Sequence, residues 1–485
     1  MLIEAKYSTI LIHNYDLGDS YKLESSLSYY DDVYHRREPF GYFYDEANKI
    51  MKIPRGYSLS ALESHFKTEV VINNKLDYNP RAISYLMRYT PRDNDQKRVI
   101  AFLLGWDEYS YTKRHSQLAV DLKTGKGKTY CALAYIHLNK TVGCIVVNDT
   151  NLQQQWMDAI EEHTYLEMDK VYKVQGAASI DKLFKMKSPD HSIYVMNHST
   201  IRSYADSHGW DKITELFKHC RIGVKVIDET HKEFRNIVSI DAHVNCPKNI
   251  YLSYSMKRSN HLENTIYTKA FYSVPKLGRE LVNDEDNYIM GIILKFNTHP
   301  TMKHRASCKT KKGLSSVMYT DYIFKGREYN TKPFFDALRM GLALTLNKPG
   351  KVAILVAKNE AILDLKTWLI EIMPDMENDI GIYTSIVKDR KTREEALEKK
   401  IILTTSKSFG TGMDVSDLSY IIMTEPFSSK VLMEQIPGRI RFIPDRALAY
   451  IELHDEGFPE IVAQLKDRMP ILRTHTTKVI RQSIN

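Results

Sequence analysis

Residues 117–138 read QLAVDL, KTGKGKT, YCALAYIHL: an apolar strand pattern from Gln117 to Leu122, a glycine-rich turn from Lys123 to Thr129, and a helical pattern from Tyr130 to Leu138. In such a turn successive backbone N–H groups point inward around an anion, and the following helix adds the positive end of its dipole. The glycines let the chain approach the anion with no Cβ in the way. The stretch predicts a triphosphate cradle of Thr124, Gly125, Lys126, Gly127, Lys128 and Thr129, with Lys128 reaching the β and γ phosphates and the Thr129 hydroxyl ligating Mg2+. At average composition, Thr-Gly-x-Gly-Lys followed by Ser or Thr arises by chance on the order of once in a million positions. That rarity sets a plain strand–turn–helix aside. The strict pattern has glycine where Leu122 stands.

Outward from this stretch, short β-branched runs alternate with helical patterns: CIVV at 144–147, SIYVM at 192–196, GVKVID at 223–228, KVAILVA at 351–357, KIILTT at 400–405 and SYIIM at 419–423. Alternation of this kind marks parallel sheet with crossover helices. The runs fall into two sets, before about residue 255 and after about 315, which predicts two α/β domains in series. The run VKVI ends in Asp228-Glu229-Thr230-His231. Open α/β sheets gather their ligands at the carboxyl ends of the strands, so this acidic pair is expected beside the phosphate turn. There Asp228 would hold Mg2+ and Glu229 would orient and deprotonate an attacking water. Acids often follow strands merely as helix caps, and the phosphate turn upstream decides between the two readings.

The chain has 485 residues, 43% apolar and 26% charged, which excludes a collagen, a disordered chain and a miniature disulfide scaffold. Lys plus Arg number 68 against 60 Asp plus Glu, a bias of +8 that permits a polyanionic partner without demonstrating one. Five scattered cysteines without a CxxC pair give no zinc site and fit a reducing compartment. The start lacks a signal-peptide pattern, and no apolar run reaches the length of a membrane span. A cytoplasmic protein is expected, in the host cell if it is viral.

Residues 1–85 are read as a small α+β domain, 86–260 as the first α/β domain, 261–450 as the second, and 451–485 as a helical tail, with Asn73–Pro80 as a linker. In the amino-terminal domain Tyr42, Tyr44, Lys49, Lys52 and Arg55 are candidates for stacking and phosphate contacts with nucleic acid, although aromatics in a small domain are more often core. The stretch 299–316 (HPTMKHRASCKTKKGLSS) carries Lys303, Arg305, Lys309, Lys311 and Lys312 with no acid among them. It is either a solvated loop or a contact to a duplex whose counterions it would release.

The phosphate turn and the acidic box, in this order and at this distance, resemble the superfamily 2 helicases and translocases, in which two RecA-like domains clamp ATP. The resemblance spans roughly residues 90–445. It implies that Gln96 reads adenine. Asn148 and Leu152, within VVNDTNLQQQW, and His198, Ser199 and Thr200 are implied as strand contacts, although a helix cap explains the latter letters equally well. Ser253 and Ser255 of LSYS would couple the acidic box to nucleic acid, meeting His231. In TTSKSFGTGMD, Gly412 and Asp414 would face ATP, and Thr405 and Lys407 the strand. Gln435-Ile436-Pro437-Gly438-Arg439 would deliver the Arg439 guanidinium to the transferring phosphoryl. The family's second arginine lies one residue later than Arg441; on a helix that shift turns a side chain by about 100°.

The compact layout resembles the phage recombination and branch-migration helicases of the UvsW type, and poxvirus-type transcript-release helicases have a similar outline. The resemblance implies an ATP- and Mg2+-dependent DNA helicase or translocase acting on branched DNA, working as a monomer. An RNA helicase or transcript-release motor, and a non-catalytic ATP-gated junction-binding protein, are the alternatives.

Overall fold

The computed structural model describes residues 1–31, 36–39, 41–122, 126–232, 234–253, 261–278, 287–311, 313–325, 331–410, 413 and 415–484. The chain divides into two compact units, Met1–Asn283 and Asp284–Asn485.

The first unit is built on a seven-stranded sheet in the order Val171–Val174, Ile193–Asn197, Gly143–Val147, Val224–Ile227, Lys248–Ser253, Gln117–Asp121, Lys276–Leu277, every pairing parallel. Its central strands are buried along their whole length, as parallel strands covered on both faces must be. Lys225 is the charged exception, and it ion-pairs inside the core with Asp241. The turn after Gln117–Asp121 and the acidic box after Val224–Ile227 leave the same edge, on either side of Lys248–Ser253.

A five-stranded small sheet precedes it, in the order Phe43–Asp45, Ile50–Pro54, Thr9–His13, Leu2–Ala5, Val70–Ile72. It is fastened to the amino ends of the large sheet's strands. Ser116 Oγ donates to the Tyr7 carbonyl at 2.6 Å, the Cys246 amide donates to Ser8 Oγ at 3.0 Å, and Ser8 Oγ meets Asn249 Oδ1 at 3.2 Å. Strands of five or six residues then separate the small sheet from the phosphate-turn edge by about 17–20 Å. Residues 73–80, expected to be a linker, are tied down: Tyr78 OH donates to the Ile222 carbonyl at 2.8 Å, and Asp77 ion-pairs with Lys218.

The second unit repeats the plan: Ile380–Tyr383, Ile401–Thr405, Lys351–Val356, Leu418–Met423, Leu448–Asp455, Ile289–Phe296, Thr476–Ser483, again all parallel. Its two apolar clusters lie on opposite faces of the sheet; Val352 and Ile354 belong to one, and Ala353 and Leu355, alternating with them along the same strand, to the other.

Two expected boundaries are corrected. Residues 261–278 carry the helix His261–Ala270 and the strand Lys276–Leu277, which pairs with Gln117–Asp121 in the first unit because its short apolar segment completes that sheet's edge. Residues 451–485 are no helical tail: they begin inside a central strand, form the helix Pro459–His475, and end in Thr476–Ser483, the edge strand beside Ile289–Phe296. All five cysteines are buried thiols, since no two are bonded. No described helix is long and apolar enough to cross a membrane.

Candidate functional site

Lys128 opens the helix Lys128–Asn139, capped by Gly127 at φ +78°, and its Nζ donates to the Leu122 carbonyl at 2.7 Å. Leu122, where the strict pattern has glycine, continues the strand: its amide donates to the Ser253 carbonyl at 3.1 Å and its side chain is buried in the core. Thr129 lies half-buried in the first helical turn. Lys126 ion-pairs with Asp95 at 3.1 Å. Gln96 is buried, its Oε1 accepting the Arg92 amide at 2.8 Å, and its Nε2 stands where a Cβ on Gly127 would project. Thr124 and Gly125 lie outside the described residues.

Across the intervening strand, Asp228 is buried and its carboxylate is held from two sides. Oδ2 accepts the indole N–H of Trp156 at 2.9 Å, and Oδ1 accepts the Glu229 amide at 2.8 Å. Burial, and then the neighbouring Glu229, push Asp228 up to about 6, while Lys128 and Trp156 pull the other way. A carboxylate desolvated beside a second carboxylate is a place that a cation would stabilise. Asp228 and the Thr129 hydroxyl also supply the hard oxygen donors that a divalent ion takes. Glu229 sits at φ +50°, a left-handed conformation uncommon outside glycine that costs of order 1 kcal/mol or more and aims its side chain off the strand direction.

His231 joins the acidic box to the next strand. Its Nδ1 lies 3.3 Å from Glu229 Oε2 and 3.1 Å from Ser253 Oγ, and Thr230 bonds the Leu252 carbonyl through both its amide, at 3.0 Å, and its hydroxyl, at 2.9 Å. Lys128, Asp228, Glu229, His231 and Ser253 thus share one edge; Ser255 lies outside the described residues.

The expected strand contacts are mixed. Asp149 caps the helix Thr150–His163 by accepting the Leu152 amide at 2.9 Å, Leu152 itself is half-buried against the core, and both amide atoms of Asn148 are buried without a hydrogen-bond partner. Asn197 caps the next helix through the Thr200 amide at 2.7 Å, and Ser199 is exposed. Two residues of this set are corrected. His198 is 2% exposed, and burial alone pushes its imidazole down to about 4, so it is a neutral core histidine that cannot reach a strand. Thr200 is buried, and its hydroxyl is taken up by the Gly176 amide at 3.3 Å.

In the second unit Thr405 Oγ1 meets Ser408 Oγ at 3.0 Å and caps Ser406–Gly410, with Lys407 exposed on that turn. Ser406 Oγ bonds the buried carboxyl of Glu425, which burial pushes up to about 7. Gln435 is buried at the end of the helix Lys430–Gln435, and Arg439 Nη1 donates to the Met413 carbonyl at 3.4 Å. Pro437 ends that helix; Pro437–Arg439 forms a 3-10 turn and Ile440 is extended at φ −73°, ψ 118°. The segment is therefore not a continuous helix past Arg439, so the 100° helical shift expected at Arg441 does not apply; Arg441 is exposed beyond the buried Ile440. Gly412 and Asp414 lie outside the described residues.

The basic stretch forms the short helix Met302–Ser307 and a two-stranded ribbon, Lys309–Thr310 with Gly313–Leu314. Lys303 and Lys311 are exposed and Arg305 half-buried, while Lys309 ion-pairs with Glu460; Lys312 lies outside the described residues. On the small sheet Lys49 is exposed and pairs with Asp16 at 3.0 Å, and Arg55 is half-buried. Lys52 lines a cavity of about 490 Å3 between the small sheet and helices of the large sheet, its Nζ 5.4 Å over the Phe43 ring. Tyr42 and Tyr44 are packed against the core, and Tyr44 OH donates to the Tyr15 carbonyl at 3.1 Å, so they are not a free stacking platform.

Trp156 is a side chain at the acidic box that sequence reasoning missed. A tryptophan at a helical apolar position reads as core, and only the strand register brings its N–H to Asp228.

Residues 88–256 match the family model described as "Type III restriction enzyme, res subunit". That segment is superfamily 2 helicase-like, and together with two RecA-like parallel sheets and a small amino-terminal sheet the match supports a nucleic-acid-dependent ATPase; helicases of this kind generally use ATP with a divalent metal. Among particular proteins, the chain is 21% identical over 368 residues to the transcript termination protein A18 of Yaba-like disease virus, covering 71% of this chain and 69% of that one. It is 23% identical over 365 residues to the probable helicase D10 of Escherichia phage T5, covering 74% and 72%. The fragment structure of a putative HsdR subunit of a type I restriction enzyme from Vibrio vulnificus YJ016 shares the fold with a TM-score of 0.53 at 15% identity, covering 82% and 70%.

Proposed function

We propose that the chain is an ATP-driven DNA helicase or translocase that remodels branched DNA at forks or four-way junctions, acting as a monomer in the cytoplasm of a host cell. The observation that carries the reading is the convergence of Lys128, Asp228 and Glu229, with the His231–Ser253 contact, at the carboxyl edge of one parallel sheet.

Lys128 binds the β and γ phosphates, the phosphate turn Thr124–Thr129 supplies amide donors, and Gln96 reads the base. A divalent cation, which Thr129 and Asp228 would hold, supplies charge neutralisation to the phosphates when bound with ATP. Glu229 orients the attacking water and takes its proton. Arg439 offers its guanidinium to the charge that develops on the transferring phosphoryl, with Gln435 beside it. His231 and Ser253 transmit the state of the acidic box to the strand that leads into Ser255. Asn148, Leu152, Ser199, Thr405, Lys407, Lys303, Arg305, Lys309, Lys311, Lys312, Lys49, Lys52 and Arg55 are the remaining candidates for contacts to DNA.

The test is strand displacement on forks, four-way junctions and linear duplexes, with and without ATP, alongside Lys128→Ala and Glu229→Gln. Lys128→Ala should abolish hydrolysis and keep salt-sensitive DNA binding. Glu229→Gln should bind nucleotide and fail to turn it over. Robust ATPase activity in either variant removes the assignment.

A second reading, a transcript-release motor acting on RNA, is favoured by the name of the poxvirus relative. ATPase stimulation by matched RNA and DNA separates the two: greater stimulation by RNA selects the second.

A further inference from the structure

Arg468 lies in the helix Pro459–His475, and its side chain is wholly buried. Its guanidinium meets Glu452 with two bonds, Nη2 to Oε1 at 2.8 Å and Nη1 to Oε2 at 3.1 Å, and Glu452 Oε2 also accepts Tyr450 OH at 2.9 Å. The guanidinium stands 3.6 Å over the Phe427 ring, and Nη1 is 3.6 Å from Met433 Sδ. Phe427 belongs to the connection after the strand Leu418–Met423, and Met433 to the helix Lys430–Gln435 that runs into Pro437–Arg439. One charged group therefore touches the central strand Leu448–Asp455, the connection and the helix that ends at Gln435 and leads into Arg439 and Arg441. Around it Leu465, Met469 and Leu472 of the same carboxyl-terminal helix cluster with Met433, Ile436 and Ile440, the buried side of the arginine-bearing segment.

A buried ion pair is a poor source of stability, because apolar side chains of similar volume often hold a core as well or better. A bidentate pair, however, fixes direction as well as distance, which a methionine or leucine does not. We propose that Arg468, oriented by Glu452, is a positioning residue that fixes where the Gln435–Arg441 segment places its guanidinium groups, so that the carboxyl-terminal helix belongs to the hydrolytic machinery. The inference rests on the reading of Arg439 as the transition-state guanidinium.

The experiment compares the full chain with Arg468→Met/Glu452→Leu, Glu452→Gln and Arg439→Ala, reading thermal midpoint, kcat and KM for ATP with saturating DNA. The double variant should keep a midpoint at or above that of the native chain, while kcat falls by about 10- to 100-fold, as small displacements of catalytic groups do. KM for ATP should change little, because binding does not depend on this segment. Native kcat in a stably folded double variant overturns the proposal, since the pair is then merely structural. Should the double variant not fold, Glu452→Gln decides: it keeps the volume and weakens the bidentate hold, so a reduced kcat supports the proposal and native kcat overturns it. Native kcat in Arg439→Ala overturns the proposal by removing the reading of Arg439 on which it rests, a result distinct from native kcat in the Arg468 and Glu452 variants beside an inactive Arg439→Ala.

Discussion

The indole Nε1–H of Trp156 donates to Asp228 Oδ2 at 2.9 Å, tying the helix Thr150–His163 to the acidic box across two neighbouring strands. The carboxylate is buried, so this bond does more than a surface bond would: it fixes which way Asp228 turns its remaining lone pairs. Trp156→Phe keeps most of the volume and removes the donor. A lost hydrogen bond to a buried charge costs about 1.5–3 kcal/mol. The variant should fold with a lowered thermal midpoint, and its ATPase kcat should drop by about tenfold, since 1.4 kcal/mol is a decade in rate. Unchanged kcat in stopped-flow or steady-state assays would show that Asp228 needs no such support.

Gly127 and Gln96 occupy one space. Gly127 sits at φ +78°, where an L side chain is strained, and a Cβ there would meet Gln96 Nε2 within contact distance. Gly127→Ala should therefore weaken nucleotide binding by about tenfold or more, on a strain of order 1–3 kcal/mol. Thermal stability of Gly127→Ala, Gln96→Ala and the double variant should be non-additive, with the second change relieving part of the first. Additive losses would place Gln96 elsewhere.

The phosphate turn and the acidic box were legible because parallel sheets expose loop residues at one edge, and glycine, lysine and paired acids there have few structural excuses. Side chains whose work depends on tertiary register were not. Nothing in the sequence singles out Arg468 or Glu452, because only packing brings the two face to face. The edge strand Thr476–Ser483 (TTKVIRQS) is mostly exposed, so its sequence lacks the apolar run that marked its neighbours. The strand Lys276–Leu277 is two residues long, too short to carry a period, which hid the true limit of the first unit. His198 looked like a phosphate contact because its neighbours are hydroxyls, yet its backbone position turns the ring into the core.

Glu425 gives the second unit a pH response. Burial raises its carboxyl from the ordinary 4.5 to about 7, against the Ser406 and Ser316 hydroxyls that lower it. A folded-state value above the unfolded one means that the unfolded chain releases its proton first, so the stabilisation is complete below about 4.5 and is lost as pH rises through 7. Glu425→Gln cannot ionise. It should nearly match the native chain in urea unfolding at pH 4.5 and exceed it at pH 8 by on the order of 3 kcal/mol. Parallel curves for the two proteins across that range would mean that Glu425 is ionised in the fold.

Pro437 decides the fate of the second arginine. By ending the helix at Gln435 it puts the half-buried Arg439 in a 3-10 turn and the wholly buried Ile440 in extended chain, with Arg441 exposed beyond it. Arg439→Ala should reduce kcat by about 1,000-fold or more, the range of a transition-state guanidinium. Arg441→Ala should reduce it by a smaller factor, of about 100 to 1,000, because removing one donor to developing charge costs about 2.7–4 kcal/mol. Arg446, which is committed to an ion pair with Asp417, is the control, and Arg446→Ala should leave kcat near native. If Arg441→Ala and Arg446→Ala behave alike in a nucleic-acid-stimulated ATPase assay, Arg441 is a surface arginine and the segment carries a single guanidinium.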